Sequence, residues 1–229
     1  MITIGRIFSR ISGESRRLRG SIFRNSFRIE PDTRILDLGS EDGSAVAAIL
    51  EGTRASPENV WIADIDRSML SSGRRRYGFH AVQLAELGQL PFEDKSFDIV
   101  YCSSVIEHVT GSKSDVWNLV SSREFNCRAA RAQSAFAREI SRIGIGYFVQ
   151  TPNRWFPVES HTWLPLMGVV PRPVLISAMR VANRTWVKKS IPDFRLLNVS
   201  EMQKLFPDAR IKVEKKFGFA KSLMAIKPN

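Results

Sequence analysis

Short apolar runs alternate with longer amphipathic stretches along most of the chain, a pattern typical of strands that alternate with helices. Continuous apolar runs that end at glycine or acidic residues indicate strands buried on both faces. The predicted strands cover residues 34–38, 59–65, 79–84, 97–102, 144–150, 209–216 and 222–227. The predicted helices cover residues 44–51, 66–76, 120–142 and 199–206. This order predicts an α/β fold with a doubly wound, mainly parallel seven-stranded sheet that ends in an antiparallel hairpin.

Two segments depart from this alternation. Residues 1–30 are rich in arginine, and their apolar residues fall at helical spacing, which predicts a short amphipathic helix that Gly13 and Gly20 interrupt. These apolar residues are Ile4, Ile7, Phe8 and Ile11. Residues 152–192 are rich in proline and tryptophan and are predicted to form a lid insertion. We therefore expect a basic N-terminal arm and one domain over residues 31–229 that carries the lid.

The formal net charge of +11 favours an anionic partner, such as nucleic acid, an acidic membrane surface or a phosphorylated substrate. Charge alone does not choose among these partners. Cys102 and Cys127 do not lie at metal-ligand spacing, so we interpret them as free thiols in a reducing compartment. The most apolar stretch, 163–182, contains prolines and arginines and does not predict a membrane span. We expect a cytoplasmic protein, with peripheral attachment to a membrane surface as the alternative.

Glycine and acidic residues follow the predicted strands where parallel strands end. The first strand ends in Asp37-Leu-Gly-Ser-Glu-Asp-Gly43, which leads directly into a helix. Glycines at such a turn let a ligand approach the backbone, and the helix start offers unpaired N–H groups. Asp64 ends the second strand, where a carboxylate can accept both hydroxyls of a ribose, and Glu86 follows the third strand. Each feature alone is an ordinary turn or cap, but their order along one sheet edge predicts a nucleoside ligand.

These motifs resemble those of the class I S-adenosylmethionine (SAM) dependent methyltransferases, in particular the group that contains the ubiquinone and menaquinone pathway enzymes. The matching motifs are Ile35-Leu-Asp-Leu-Gly39, Ala63-Asp-Ile65, Leu90-Pro-Phe92, Ser96-Phe-Asp-Ile-Val100 and Val105-Ile-Glu-His-Val109. The resemblance covers roughly residues 33–151 and 196–228. It implies a Rossmann-like methyltransferase fold with SAM as the cofactor.

The resemblance also assigns the parts of the cofactor to residues of this chain. It implies that the glycine turn lines the methionine part of SAM, that Asp64 binds the ribose, and that Glu86 with Leu87 lies beside the adenine. Ser103 and Ser104, which follow the fourth strand, are expected to border the methyl group. The residues predicted to bind the cofactor are Asp37, Gly39, Ser40, Glu41, Gly43, Asp64, Ile65, Glu86, Leu87 and Ser103.

Two positions depart from the family pattern. The family usually has Gly-x-Gly-x-Gly at the first turn, whereas Glu41 occupies the middle glycine position here. Its side chain either crowds the methionine part or accepts a hydrogen bond from the ammonium group, and we favour the second interpretation. Some relatives use an acid-rich version of the pair Glu107 and His108 as a metal site, but this chain has Ser104 where they carry the extra acid. No metal is therefore predicted.

The predicted lid supplies the candidate catalytic residues. A similar Asn-Arg-Trp-Phe-Pro…Glu-x-His stretch occurs in some bacterial members of the group. His161 is a candidate general base because its unperturbed pKa suits proton removal near neutrality, and Glu159 is placed to orient it. The alternative is a histidine that holds the lid by hydrogen bonds. We expect the lid, over residues 152–170, to form the acceptor pocket.

The arginine-rich N-terminal helix has two interpretations. Arg16, Arg17 and Arg19 carry the charge that would bind acidic lipid, with the apolar residues placed among the headgroups. The resemblance favours the other interpretation, in which the helix folds over the cofactor cleft as it does in many relatives.

The predicted function is methyl transfer from SAM to a small-molecule, glycan or lipid-linked acceptor, with oxygen as the favoured atom. A nucleic-acid methyltransferase is the alternative within the same class, but neither an Asn/Asp-Pro-Pro-Tyr motif nor an appended RNA-binding module is seen, so nucleic acid is not the expected partner. A SAM-binding partner protein without catalysis is the alternative from another class. Glu41 at the middle glycine position is the feature that supports this alternative.

Overall fold

The computed structural model describes residues 4–86, 88–158, 162–185 and 189–229, with side chains from residue 13 onward except that of Thr185. The strands are β1 Ile35–Leu38, β2 Val60–Asp64, β3 His80–Gln83, β4 Phe97–Ser103, β5 Gly144–Pro152, β6 Arg210–Lys216 and β7 Phe219–Lys227. The α-helices are α1 Ile4–Ser26, α2 Ser44–Leu50, α3 Arg67–Tyr77, α4 Ser122–Ile143, α5 Arg172–Thr185 and α6 Val199–Leu205.

The strands form one sheet in the order β3-β2-β1-β4-β5-β7-β6. Strands β1 to β5 pair in parallel, and β7 is antiparallel to both β5 and β6. The chain winds outward from β1 to β3 and then crosses back to β4, so the winding direction changes between β1 and β4. The predicted doubly wound sheet with a closing hairpin is confirmed. Ligands of such sheets bind at the carboxyl ends of the strands where the winding direction changes.

Helices cover both faces of the sheet, and alternate strand residues serve the two layers. In β1, Ile35 belongs to the core that α1, α2 and α3 cover, whereas Leu36 belongs to the core that α4 and α6 cover. The Phe23 ring of α1 lies in the first layer, with its centroid 5.4 Å from that of Tyr101 and 5.7 Å from that of Phe148. Helix α1 is thus anchored directly above the middle of the sheet.

Helix α1 is one continuous helix of 23 residues, so the predicted interruption at Gly13 and Gly20 is wrong. A glycine inside a helix costs only about 1 kcal/mol relative to alanine, which tertiary packing can offset. Gly20 is buried, and a Cβ built there would lie 3.4 Å from the Ile49 Cγ2 atom of α2. The missing side chain therefore allows the close approach of α1 and α2.

Polar contacts join α1 to the closing hairpin. Arg19 Nη1 lies 3.5 Å from Glu214 Oε2 of β6, and the Lys221 ammonium group of β7 donates to Ser15 Oγ. Ser222 Oγ donates to the same Glu214 oxygen at 2.6 Å. These groups are largely buried, so the contacts fix the position of α1 relative to the sheet edge.

The segment predicted as a lid contains helix α5, which was not predicted. Pro171 and Pro173 indicated a broken path, but proline is tolerated in the first turn of a helix, where its N–H is not needed. The buried Arg172 guanidinium donates to the carbonyl oxygens of Leu119, Pro192 and Val116, and its centre lies 3.5 Å from the centroid of the Phe125 ring. Within the described residues, no helix has both the length and the apolar character needed to cross a membrane.

Candidate active site

Two cavities open at the carboxyl ends of the parallel strands. The first, here called the acidic cavity, has a volume of about 370 Å³ and is lined by Asp64 and Glu86. The second, here called the arginine cavity, has a volume of about 1060 Å³ and lies between α1, α2 and the ends of β1 and β4. Gly39, Glu41 and Ser104 line both cavities, so the cavities adjoin where the winding direction changes.

The turn after β1 lies tightly against its neighbours. Gly39 has a φ of 76°, and a Cβ built there would lie 2.4 Å from Val105 Cγ2, so only glycine fits. Its N–H donates to the Ala63 carbonyl oxygen of β2 at 2.8 Å. Glu41 has a φ of 51°, in the left-handed region, where a side chain costs about 1 kcal/mol. The backbone at Glu41 thus keeps the conformation that suits the glycine found there in the family.

Asp64 connects this turn to the start of α3. Its Oδ2 accepts from the Glu41 N–H at 2.8 Å, and its Oδ1 accepts from the Asp66 N–H at 3.0 Å. A carboxylate has about four acceptor sites, so Asp64 can still accept hydrogen bonds from a ligand in the acidic cavity. Asp66 is the N-cap of α3, because its side chain accepts from the N–H groups of Ser68 and Met69.

The far end of the acidic cavity combines one acid with an apolar wall. Glu86 Oε1 accepts from the Lys113 N–H at 2.9 Å, and Ile65, which is 44% exposed, lies on the cavity wall. The apolar wall consists of Leu84, Leu90, Val109, Ala132, Ala135 and Phe136. A flat apolar slot with a polar edge suits a purine base. Leu87 lies outside the described residues.

Asp37 is buried beside the arginine cavity and lacks a full set of hydrogen bonds. Asp37 is 2% exposed, and its Oδ2 atom has no hydrogen-bond partner among the described residues. Burial raises the pKa of this carboxyl well above its usual range, and the nearby Asp64 and Glu41 carboxylates raise it further. Ser40 Oγ is also buried without a partner. Buried polar atoms that lack partners are rare, and here they offer acceptors to a cationic ligand.

The end of β4 supplies hydroxyl groups to the same region. Ser103 Oγ and Ser104 Oγ donate to Gln150 Oε1 of β5 at 2.7 Å and 3.2 Å. Tyr101 lines the arginine cavity, and burial raises the pKa of its phenol to about 12. These groups are therefore neutral near pH 7 and form the floor of the arginine cavity.

Four arginines of α1 form the wall that faces the turn, namely Arg16, Arg17, Arg19 and Arg24. Helix α1 thus covers the cleft at the ends of β1 and β4, which agrees with the interpretation that the resemblance favours. Sequence reasoning missed that the arginines face this cavity. The usable signal was their spacing, because Gly13, Arg16 or Arg17, Gly20 and Arg24 recur every three to four residues along α1, which places them on one face of the helix.

The described part of the predicted lid packs elsewhere. Residues 152–158 and 162–170 line neither cavity. Arg154 donates to the Leu196 carbonyl oxygen and to Glu201, which ties the start of the segment to α6, and Trp155 is 64% exposed. The assignment of residues 152–170 to the acceptor pocket therefore stays a prediction that these two cavities do not support. Glu159 and His161 lie outside the described residues.

Some predicted site residues take structural positions. Gly43, with a φ of 72°, precedes α2 and lines neither cavity. His108 lines the acidic cavity, and its Nδ1 lies 3.0 Å from Asp193 Oδ1, while Glu107 is fully buried and accepts from Thr151 Oγ1 at 3.0 Å. Across the described residues, no three His, Cys, Asp or Glu side chains cluster as metal ligands.

The sheet order, the glycine turn after β1 and the carboxylate after β2 agree with the features that the resemblance to class I SAM-dependent methyltransferases predicted. Residues 36–143 match the family described as a methyltransferase domain. The match to the ubiquinone/menaquinone biosynthesis C-methyltransferase of Xanthomonas oryzae pv. oryzae is 35% identical over 95 residues, 38% of this chain and 37% of that protein. The counterpart from Xanthomonas campestris pv. campestris is 36% identical over 90 residues, 36% of this chain and 35% of that protein. The chain thus spans little more than a third of the length of these relatives.

Solved structures share the fold at low sequence identity. A SAM-dependent methyltransferase from Mesorhizobium loti has a TM-score of 0.56 at 15% identity, over 90% of this chain and 95% of that one. The magnesium protoporphyrin IX methyltransferase of Synechocystis PCC 6803, solved with bound SAH, has a TM-score of 0.54 at 11% identity, over 99% of this chain and 89% of that one. The resemblance to class I SAM-dependent methyltransferases, in particular to the ubiquinone-pathway enzymes, is therefore confirmed by a match over residues 36–143 and by the shared fold, and SAM is the cofactor of that class.

Proposed function

We propose that the chain transfers a methyl group from SAM to a small-molecule acceptor bound in the arginine cavity. The observation that carries the proposal is the junction of the two cavities at Gly39, Glu41 and Ser104. The acidic cavity has the size and the polar groups of a nucleoside site, and the arginine cavity leaves room for a second molecule. A donor and an acceptor held in adjoining cavities are held close together, which is the main catalytic contribution that this class of reaction needs.

The residues present fit SAM, which when bound supplies an electrophilic methyl group on a positively charged sulfonium. Asp64 would hold the ribose hydroxyls and Glu86 the polar edge of the adenine. Asp37 and Ser40 carry the buried acceptor atoms that lack partners, so they would receive N–H groups from the methionine ammonium. Asp37 also gains a compensating positive charge there, which offsets the burial of its carboxylate.

Glu41 would assist Asp37 in holding the ammonium group. Its carboxylate is close enough to Asp37 to raise the pKa of that carboxyl, and its residue lines both cavities. A cation placed between the two carboxylates would remove their mutual repulsion. This role favours a functional binding site over a site that the side chain blocks.

The favoured acceptor atom is oxygen, in a small-molecule or lipid-linked compound. The arginines of the cavity support an oxygen-rich acceptor, because guanidinium groups donate pairs of parallel hydrogen bonds to oxyanions. The names of the Xanthomonas relatives specify carbon, which is the alternative atom. A product labelled with ¹³C at the methyl group separates the two, because O-methyl and C-methyl carbons differ in chemical shift.

The experiment that tests the function is incubation of the protein and cell extract with methyl-labelled SAM, followed by separation of lipid, glycan, RNA and small molecules. We expect label in the small-molecule or lipid fraction. Asp64→Ala is the control that should lose this label. Binding of SAM without label in any fraction would instead support a partner protein without catalysis, and label in RNA would support the nucleic-acid alternative.

A further inference from the structure

The four arginines of the arginine cavity differ in how far their guanidinium groups already contact other protein groups. Arg19 lies 3.5 Å from Glu214, and Arg24 Nη1 donates to the Ile49 carbonyl oxygen at 3.1 Å. Arg16 and Arg17 are exposed to the cavity, and neither has an ion-pair partner among the described residues. Two guanidinium groups therefore remain available to a ligand.

Carboxylates line the same cavity but lie mainly on its other side. Asp37 and Glu41 belong to the turn after β1, where they would pair with the ammonium group of the cofactor, and Glu51 lies at the end of α2. With the cofactor ammonium bound to these two carboxylates, they would no longer offset the positive charge of the arginines on α1. The distance along α1 from Arg16 to Arg24 is about 12 Å at 1.5 Å per residue, so the charged wall is as long as a small organic molecule.

The remaining wall is small and apolar. Helix α2 contributes Ala45, Ala48 and Ile49 to the cavity lining, and Ser44 lies at its start. A molecule in the arginine cavity would thus meet guanidinium groups of α1 and small apolar side chains of α2. This combination selects for an anionic group attached to an apolar body, and it disfavours a neutral sugar.

From this arrangement, which rests on the proposed function, we infer that the acceptor is an amphiphilic oxyanion. It carries a carboxylate or phosphate group that Arg16 and Arg17 bind, and its apolar body lies on α2. Guanidinium groups suit such oxyanions because they donate pairs of parallel hydrogen bonds. Arg16 and Arg17 line the arginine cavity alone and are not among the residues at its junction with the acidic cavity, so the anionic group that they bind is not the group that is methylated. The methylated product therefore keeps its negative charge.

The charge of the product tests this inference separately from the methyl transfer. The labelled material from the extract incubation is passed over an anion-exchange resin at pH 7, after removal of SAM and extraction into aqueous and organic phases. We expect the label to be retained and to elute with salt, from the organic phase if the acceptor is a lipid and from the aqueous phase if it is a free metabolite. Label that passes through unretained, or that is sensitive to ribonuclease, overturns the inference and leaves methyl transfer intact. Absence of any label counts against the proposed function instead.

Variants identify the arginines that hold the acceptor. Combined Arg16→Gln and Arg17→Gln should lower the initial rate at limiting extract by about tenfold or more, because two charge-assisted contacts are lost, and the rate should recover as the extract is concentrated. The affinity for SAM should stay within about twofold of the parent. Arg28→Gln is the matched control, since Arg28 is an exposed arginine that lines neither cavity. An unchanged rate in the double variant, or an equal loss in Arg28→Gln, would remove Arg16 and Arg17 from acceptor binding.

Discussion

The buried carboxylate of Asp37 is costly to the empty protein and useful to the complex, so Asp37→Asn should affect stability and binding in opposite directions. Burial raises the pKa of this carboxyl well above its usual range, with contributions from Asp64 and Glu41. The folded pKa thus exceeds the unfolded pKa. Protonated Asp37 therefore contributes to the stability of the folded protein. This contribution is fully present below the pKa of the carboxyl in the unfolded chain and is lost as the pH rises through its pKa in the folded protein. Near neutral pH the variant should therefore be more stable than the parent.

The size of both effects can be estimated. Each kcal/mol of stabilisation raises the thermal midpoint of a chain of this length by about 2–4 °C. In the complex, replacement of the carboxylate weakens a charge-assisted hydrogen bond to the ammonium group of SAM, which is worth about 1.5–3 kcal/mol. The affinity for SAM should fall about 10- to 100-fold. Thermal unfolding measured from pH 4 to pH 9 and calorimetry with SAM give the two quantities on the same samples.

Asp42→Asn is a matched control because Asp42 lies in the same turn but lines neither cavity. Hydrogen bonds from Ser44 lower the pKa of the Asp42 carboxyl, so its substitution should reduce stability as pH rises above the acid range. It should leave SAM affinity unchanged. If Asp37→Asn binds SAM as tightly as the parent and keeps the parent's dependence of stability on pH, the assignment of Asp37 to the ammonium group is refuted.

The other predictions concern single contacts. Asp64→Ala should weaken SAM binding at least about tenfold in calorimetry, because the ribose hydroxyls lose charge-assisted acceptors. Equal affinity in the variant and the parent would contradict the assignment of the ribose to Asp64. Glu41→Gly should weaken SAM binding about three- to tenfold. It should not lower the thermal midpoint, because glycine adopts the left-handed φ without strain. Tighter binding would mean that the Glu41 side chain crowds the pocket. Arg172→Met should cost about 3 kcal/mol in denaturant unfolding, because it leaves two buried carbonyl groups and one partly buried carbonyl group without this donor. A loss below about 1 kcal/mol would contradict this.

The sheet and the turn of the site were predictable because both depend on local patterns. Continuous apolar runs mark strands that are buried on both faces, and the carboxyl ends of parallel strands meet at one edge whatever the loops contain. Strand β7 begins at Phe219 instead of residue 222 because its first residues pair with β6 at the sheet edge, where polar side chains are tolerated. Helix α5 was missed because Pro173 breaks a helix in general but not in its first turn.

The position of the arginines was harder to predict because it depends on contacts distant in sequence. An amphipathic period shows that α1 has two faces, but it does not show which surface each face meets. The buried face is set by Phe23 against Tyr101 and Phe148, and the rotation of the helix is fixed by Arg19 against Glu214. Those partners lie far along the chain and become neighbours only through the sheet order. The high net charge therefore indicated an anion without showing where it binds.

The two sets of charges at the cavity junction also couple the two ligands of the proposed reaction. Asp37 and Glu41 would repel an anionic acceptor from the same cavity whose α1 wall attracts it. Binding of the cofactor ammonium between them cancels that repulsion, so the loaded protein attracts the anion more strongly than the empty one. Coupling between two binding sites is reciprocal, which means that the acceptor increases the affinity for SAM by the same factor. In the proposed complex, Glu41 would add a second negative charge to this coupling, and acceptor binding would then depend more strongly on the presence of the methyl donor.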